Sequence, residues 1–467
     1  MSKRLLLVIS IILLILSCKK DSFTTSSSAA IGFSSDTLFF DTVFTTTGSV
    51  TKFVKISNLN DQKIMLSGIK LMGGAQSPFK LNIDGAAGPF STNNELQAND
   101  SLYIFVSVTV NPTTANLPFI LRDSIQVSYN GNTNYIQLQA WGQNAHFLKS
   151  TIITGNVTWP NDLPYVILGG IVVDSNATLT IQKGAKIHLH ADAPFLVDGT
   201  LLVQGEKEDS SRVYFLSDRL DDPYSNYPGS WPGVIFSTSS KDNVFEYAVV
   251  RNAYQGLIAE DASTDTNPKL TLNECIIDNI YDVGILGVNT SIRARNCLVS
   301  NCGKNIILGY GGNYDFSDCT VASYSNEFIQ HLNPVIAISN YISNGNSTQT
   351  GDLNGQFTNC IFWGENGTVD DELIVSKASS NTAFSVNFSN CLWKTKNFPQ
   401  NIDTAAVILN ADPLFQTINN TKRIYDFHLQ NGSPAIDHGK ANSIAIDLDG
   451  NSRPVGAFPD IGCYEFR

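Results

Sequence analysis

The loop from Arg219 to Trp231 carries Asp221, Asp222, Tyr224, Tyr227 and Trp231 among prolines and a glycine. Flat rings beside carboxylates suit a sugar, because rings stack on its C–H faces while acids accept its hydroxyl protons. Tyr224, Tyr227, Asp221 and Asp222 are therefore the carbohydrate-binding candidates. Other residues could do acid–base work: Arg251, Arg293, Arg295 and Lys304 as bases, and Asp218, Asp278, Asp282, Asp370, Asp371 and Glu372 as further acids. Arg293 and Arg295 share a strand face and could form a mixed-charge patch with Asp278; the alternative is an outward, solvated ladder. A hydrolase would need two carboxylates at a set separation, and the sequence alone does not pair any. His188 and His190, two apart, share one strand face opposite Ile187 and Leu189, but no third metal ligand is near and solvated surface is the expectation. No phosphate loop, dinucleotide fingerprint or nucleophile elbow is present. No catalytic residue is assigned, and no metal site is expected.

The composition bounds the partners. Charged residues are 15% and hydrophobic residues 42%, a globular balance. The formal charge of −12 and the lack of a Lys/Arg cluster argue against nucleic acid. The same charge disfavours a polyanionic glycan unless a local basic groove exists.

The first 18 residues read as a targeting segment. Lys3 and Arg4 precede an apolar run of 12 residues, Leu5 to Leu16, broken only by Ser10. That is too short to span a bilayer, which takes roughly 20 residues. Ile15-Leu16-Ser17-Cys18 resembles a lipobox, which implies cleavage before Cys18 and lipid on its thiol; the alternative is an ordinary signal peptide with an incidental cysteine. Lys19-Lys20-Asp21-Ser22 resembles the region after the cysteine in lipoproteins of the Bacteroidota, where acidic residues can direct surface export. Only Asp21 is acidic here and two lysines precede it, so the expected location is the cell envelope, held on the outer membrane by lipid alone, with the surface-exposed and the periplasmic face both open. Residues 19–30 read as a small, polar, flexible tether.

Residues 31–145 alternate apolar and polar positions with frequent turn signals. Asn130-Gly131 between alternating runs predicts a hairpin. This stretch resembles the immunoglobulin-like β-sandwiches that precede larger domains in bacterial surface proteins, which implies a spacer. No exposed aromatic cluster is evident in it to support ligand binding.

Residues 146–410 contain a repeat. Leu272-Asn273-Glu274-Cys275, Ala294-Arg295-Asn296-Cys297, Phe316-Ser317-Asp318-Cys319, Phe357-Thr358-Asn359-Cys360 and Phe388-Ser389-Asn390-Cys391 share one pattern. The cysteines are spaced by 22, 22, 41 and 31 residues, so the longer gaps read as loops inserted in one register. A coil near this length predicts a right-handed parallel β-helix whose coils stack to make the core. The apolar residues should form an inward ladder. The residue before each cysteine should sit at a bend, where Asn and Asp tolerate left-handed backbone. The cysteines read as free and buried; disulfides and zinc are the alternatives, and the spacing suits neither well.

Gly170 to Gly205, Trp231-Pro232-Gly233-Val234-Ile235-Phe236 and Phe245-Glu246-Tyr247-Ala248-Val249-Val250 resemble the opening coils of pectate-lyase-like β-helix proteins. The resemblance assigns Trp231 to the core. It implies glycan binding, with a polysaccharide lyase or glycoside hydrolase, or a purely structural or adhesive protein, as alternatives. A lyase would bring a Lys or Arg base and calcium; no cofactor is otherwise expected. Residues 411–467, with Gly432-Ser433-Pro434-Ala435-Ile436-Asp437 and Asp447-Leu448-Asp449-Gly450, resemble the terminal motif of such proteins and imply a C-terminal cap. Asp437, Asp447, Asp449 and Arg453 read as its polar bonds; calcium or a catalytic acid is the alternative, but the later acidic ligands of a calcium loop are missing.

Overall fold

The computed structural model describes residues 22–45, 48–111, 118–344, 347–365, 367–379 and 381–467, so Cys18 lies outside the described residues. The fold is all-β, with three short 3-10 turns as the helical pieces among the described residues. Two compact units divide at Asn144 and Ala145.

The first unit is a β-sandwich. One sheet orders Ile31–Phe33, Lys52–Asn58, Ser101–Val108, Phe79–Ile83 and Ala86–Ala87; the other is built around Thr37–Phe44, Asn132–Gln143, Phe119–Tyr129 and Ile64–Leu71. Alternation puts Val54, Ile56, Ile104 and Val106 of one sheet into the same core as Ile64, Leu66, Ile125 and Val127 of the other. The Asn130-Gly131 hairpin forms with both residues at positive φ, 47° and 82°, as a two-residue turn matched to strand twist requires. Two expectations change here. Residues 22–30 are tied down rather than loose: Asn130 Nδ2 donates to the carbonyls of Thr24 (2.9 Å) and Ser26 (3.0 Å), and Asn132 Nδ2 donates to that of Ser27 (2.8 Å). The solvent face also carries an aromatic cluster, since Phe53 lies opposite Phe105 in register and Tyr103 is 5.5 Å from Phe53 between ring centres. The period-2 pattern shows that alternate residues leave the core, but not that three of them fall on adjacent strands.

The second unit is a parallel β-helix. Twenty-six of its strands join in one sheet in which they pair in parallel with their counterparts one coil on; two antiparallel hairpins stand apart from it. Three faces result. The thiol face contains Ala248–Arg251, Ile276–Asp278, Leu298–Ser300, Thr320–Tyr324 and Ile361–Glu365. The third face contains Val234–Phe236, Gln255–Glu260 and the first halves of Val283–Arg295 and Lys304–Ser317. The aromatic face contains Leu270–Asn273, the second halves of those two long strands, Leu353–Thr358 and Phe384–Ser389.

The predicted inward ladder runs in register through Leu272, Ala294, Phe316, Phe357 and Phe388. Its last three rings stack at 5.5 and 4.7 Å. Glu274, Asn296, Asp318, Asn359 and Asn390 all hold φ between 48° and 54°. The following cysteines are buried and free. Each sulfur lies near the carbonyl two residues back and one on the coil below, as Cys297 does to Arg295 (3.2 Å) and Leu272 (3.6 Å). Burial pushes the thiols of Cys275, Cys297, Cys319 and Cys360 well above the ordinary value.

The C-terminal segment is a strap along the flank of the helix rather than a lid over its last coil. It runs back against the stacking direction, held by the corner residues. Asn390 Nδ2 donates to the carbonyl of His438, Asn359 Nδ2 to that of Lys440, Asn296 Nδ2 to that of Ile446, and Arg212 to that of Leu448. Its apolar side packs Phe415, Phe427, Leu448 and Ile461 against Leu298, Ala322, Ile361 and Leu392 of the thiol face. Arg453, fully buried, sits between Asp318 (2.7 Å) and Glu465 (2.9 Å).

Two outcomes follow from this packing. Arg453→Met should destabilise the chain by about 3–5 kcal/mol in denaturant titration, because two buried carboxylates lose their counter-charge. The five corner cysteines should resist iodoacetamide in the native protein and label only after denaturation, since the reactive form is the thiolate.

Candidate functional site

The expected sugar-binding loop is held by its own side chains. Trp231 is fully buried, and its Nε1 donates to the carbonyl of Arg251 at 2.8 Å, closing the loop onto the thiol face. Asp221 is buried and takes a two-pronged bond from Arg219 (2.8 and 3.0 Å), so its carboxylate is committed to the loop. Asp222 is exposed. Tyr224 is 44% exposed, but one ring face lies under the Arg219 guanidinium at 4.3 Å. Tyr227 stands 5.1 Å from Tyr224 and 4.8 Å from Phe328, and Arg423 covers Phe328 at 4.5 Å. The result is one stack, Arg219–Tyr224–Tyr227–Phe328–Arg423. It joins the loop to the strap hairpin formed by Phe415–Asn419 and Ile424–Leu429.

Between that loop and that hairpin lies a hollow of about 300 Å³ on the thiol face. Its floor is an outward ladder, Arg251, Asp278 and Ser300, in register on consecutive coils. Arg251 pairs with Asp278 at 3.2 Å, and Ser300 Oγ donates to Asp278 at 2.7 Å. Asn226, Asn279 and Asn301 form one wall; Lys422, Arg423 and Tyr425 form the other. Arg423 also meets Glu327, which is not among the lining residues, at 3.3 Å. Among the described lining residues, three cations face a single carboxylate, Asp278. This is a local basic groove on an acidic chain. The strap supplies half of it, and nothing in the spacing of residues 411–467 foretold that.

A second hollow, about 530 Å³, opens on the aromatic face beneath residues 262–268. Arg293 reaches Asp315 there at 3.3 Å, and Asp265 and Asp352 also line it, so its charge is of opposite sign.

No protein-family model matches the chain, and no curated protein does. Solved structures share only slight likeness. A family 123 glycoside hydrolase from Clostridium perfringens, described for glycolipid glycan hydrolysis, is 10% identical over 28% of this chain and 31% of its own, with a TM-score of 0.19. A protein of unknown function from Porphyromonas gingivalis W83 is 10% identical over 27% of this chain and 60% of its own, TM-score 0.19. A Salmonella enterica pilin–chaperone complex, SafA with SafB, gives 10% identity over 26% and 57%, TM-score 0.18. The chain spans under a third of that hydrolase, and likenesses this low decide neither fold nor function.

The remaining candidates fall elsewhere. Asp278 pairs with Arg251, not with Arg293 or Arg295, because the coil offset brings Arg293 beside Asp315. Lys304 pairs with Asp282 at 3.0 Å, and Asp370 with Lys396 at 3.1 Å. Asp371 accepts the backbone N–H groups of Lys396 and Asn397. Glu372 is fully buried against His331 at 2.8 Å. The two-histidine expectation needs correction: His188 is buried, not solvated, and burial lowers it to about 4 while its Nδ1 meets the Ser217 carbonyl. His190 is exposed and reaches Asp218 at 2.7 Å; burial raises the Asp218 carboxyl and the histidine contact opposes that. In the strap, Asp447 accepts the N–H groups of Asp449 and Asn451, and Asp437 that of Phe458.

His428 pins the hairpin beside the groove. Its ring stacks on Tyr464 at 3.9 Å and bonds Asp426 (2.6 Å) and Asp449 (2.9 Å). Burial opposes its charge, but the two carboxylates outweigh burial and raise it to about 9 from 6.5. Its protonated form therefore stabilises the docked hairpin fully below about pH 6.5, and that contribution disappears as the pH rises through 9. Hydrogen exchange of residues 415–429 should accelerate between pH 6.5 and 9.5 beyond the intrinsic chemical increase, and His428→Gln should remove that excess.

Proposed function

We propose that this chain is an exported envelope lipoprotein, acylated at Cys18 and held on the outer membrane, that binds an acid-bearing glycan in the groove between the 219–231 loop and the strap hairpin. The observation that carries the reading is the groove's charge: Arg251, Lys422 and Arg423 converge on a polar floor in a protein that is otherwise acidic. Guanidinium and ammonium groups recognise carboxylate or sulfate oxygens, and the asparagines and Ser300 suit sugar hydroxyls. Tyr224 and Tyr227 act by setting the width of the groove through their stack to Arg423. The sandwich serves as a spacer of immunoglobulin-like type. Binding is favoured over hydrolysis because Asp278 is the one carboxylate among the described lining residues, and it is already engaged by Arg251 and Ser300.

Titration of the soluble chain lacking residues 1–18 against uronate-bearing and sulfated oligosaccharides tests this. The K422A/R423A double variant should weaken binding roughly tenfold or more, as loss of charge-assisted bonds implies, and added salt should weaken the native complex. Y224A/Y227A should weaken it less. R293A, at the other hollow, should leave it unchanged. Equal affinity of the K422A/R423A variant and the native chain would refute the groove. Labelled palmitate should be incorporated by the full chain and not by C18A.

A further inference from the structure

Three asparagines stack at the corner between the thiol face and the third face. Asn252, Asn279 and Asn301 all hold left-handed backbone, with φ of 63°, 57° and 51°. The first two spend their side-chain amides on the neighbouring loop. Asn252 Nδ2 donates to the Ser225 carbonyl at 2.8 Å. Asn279 Nδ2 donates to the Asn226 carbonyl at 3.0 Å and to Asn252 Oδ1 at 2.8 Å. The third rung repeats the conformation but not the bond. Asn301 Oδ1 accepts the Tyr324 N–H at 3.2 Å, which fixes the end of the amide that is oxygen. Its Nδ2 has no partner among the described residues, although the residue is only 2% exposed and lines the groove. A buried donor left unpaired costs about 1–3 kcal/mol. Consecutive loop carbonyls serve the first two rungs, and none meets the third, whose residue lines the groove.

We infer that Asn301 is a ligand-binding residue: its Nδ2 donates to an oxygen of the bound glycan, which takes the place the loop carbonyls hold on the two preceding rungs. The inference rests on the glycan reading of the groove. An acceptor oxygen at this point, with Arg251 and Arg423 nearby, fixes how far along the groove a sugar unit sits.

The test uses the tightest-binding member of the oligosaccharide set, titrated against the soluble chain and two variants. N301D keeps an acceptor for the Tyr324 N–H and tolerates left-handed backbone, but carries no amide hydrogens. N301G suits the corner conformation and removes the side chain without adding charge, so it separates loss of the donor from repulsion. N301D should retain the native melting transition; N301G should stay folded but melt lower, because the Tyr324 N–H loses its acceptor. Both, titrated below their melting transitions, should bind about tenfold more weakly. Unchanged affinity in N301G, with K422A/R423A weakened, would overturn the Asn301 assignment and leave the groove standing. Unchanged affinity in all three variants, or no binder in the set, would overturn both.

Discussion

Each coil of the β-helix bends where a residue is held in left-handed backbone, and the rest of the molecule depends on those bends. L-residues resist that conformation, and Asn and Asp resist it least because their short side chains can bond locally. Three columns meet the need on successive coils: Asn252, Asn279 and Asn301; Asp261, Asn289 and Tyr310; Glu274, Asn296 and Asp318. With the corners fixed, strands fall into register and the apolar positions align as ladders. One coil buries too little alone; the stack supplies the core.

The corner side chains then do work outside the core. Having turned the chain, Asn296, Asn359 and Asn390 have amides left to donate, and the strap's carbonyls accept them. The strap in turn places Lys422 and Arg423 opposite the floor of the groove. On the next corner, Asn252 and Asn279 hold the 219–231 loop the same way. Both walls are thus fastened by one device, and the groove exists where the fastening partners run out at Asn301.

Much of this was legible in the sequence, for a physical reason. A repeat near 22 residues, with Asn or Asp before four of the five cysteines, reports a local backbone demand repeated from coil to coil, and local demands leave a periodic trace. The second asparagine column carried the same trace, since Asn279 and Asn301 are also 22 apart, but no cysteine drew attention to it. What the sequence hid was long-range. Arg453 meets Asp318 across 135 positions, and Arg212 meets the Leu448 carbonyl across 236. No spacing rule encodes such pairs. The same holds for the cluster of Phe53, Tyr103 and Phe105, which arises from strand pairing, and for the groove, whose walls lie far apart in the chain. Asp221 and Tyr224 had the chemistry expected of a sugar site, yet Arg219, two positions from Asp221, engages both.

The most direct measurement of the central claim is a hydrogen-exchange footprint of the soluble chain with and without an acid-bearing oligosaccharide that it binds. Protection confined to residues 219–231, the strands carrying Arg251, Asp278 and Ser300, and the hairpin at 415–429 is the predicted result. Protection at residues 262–268 and on the aromatic face, with the hairpin unchanged, would contradict it.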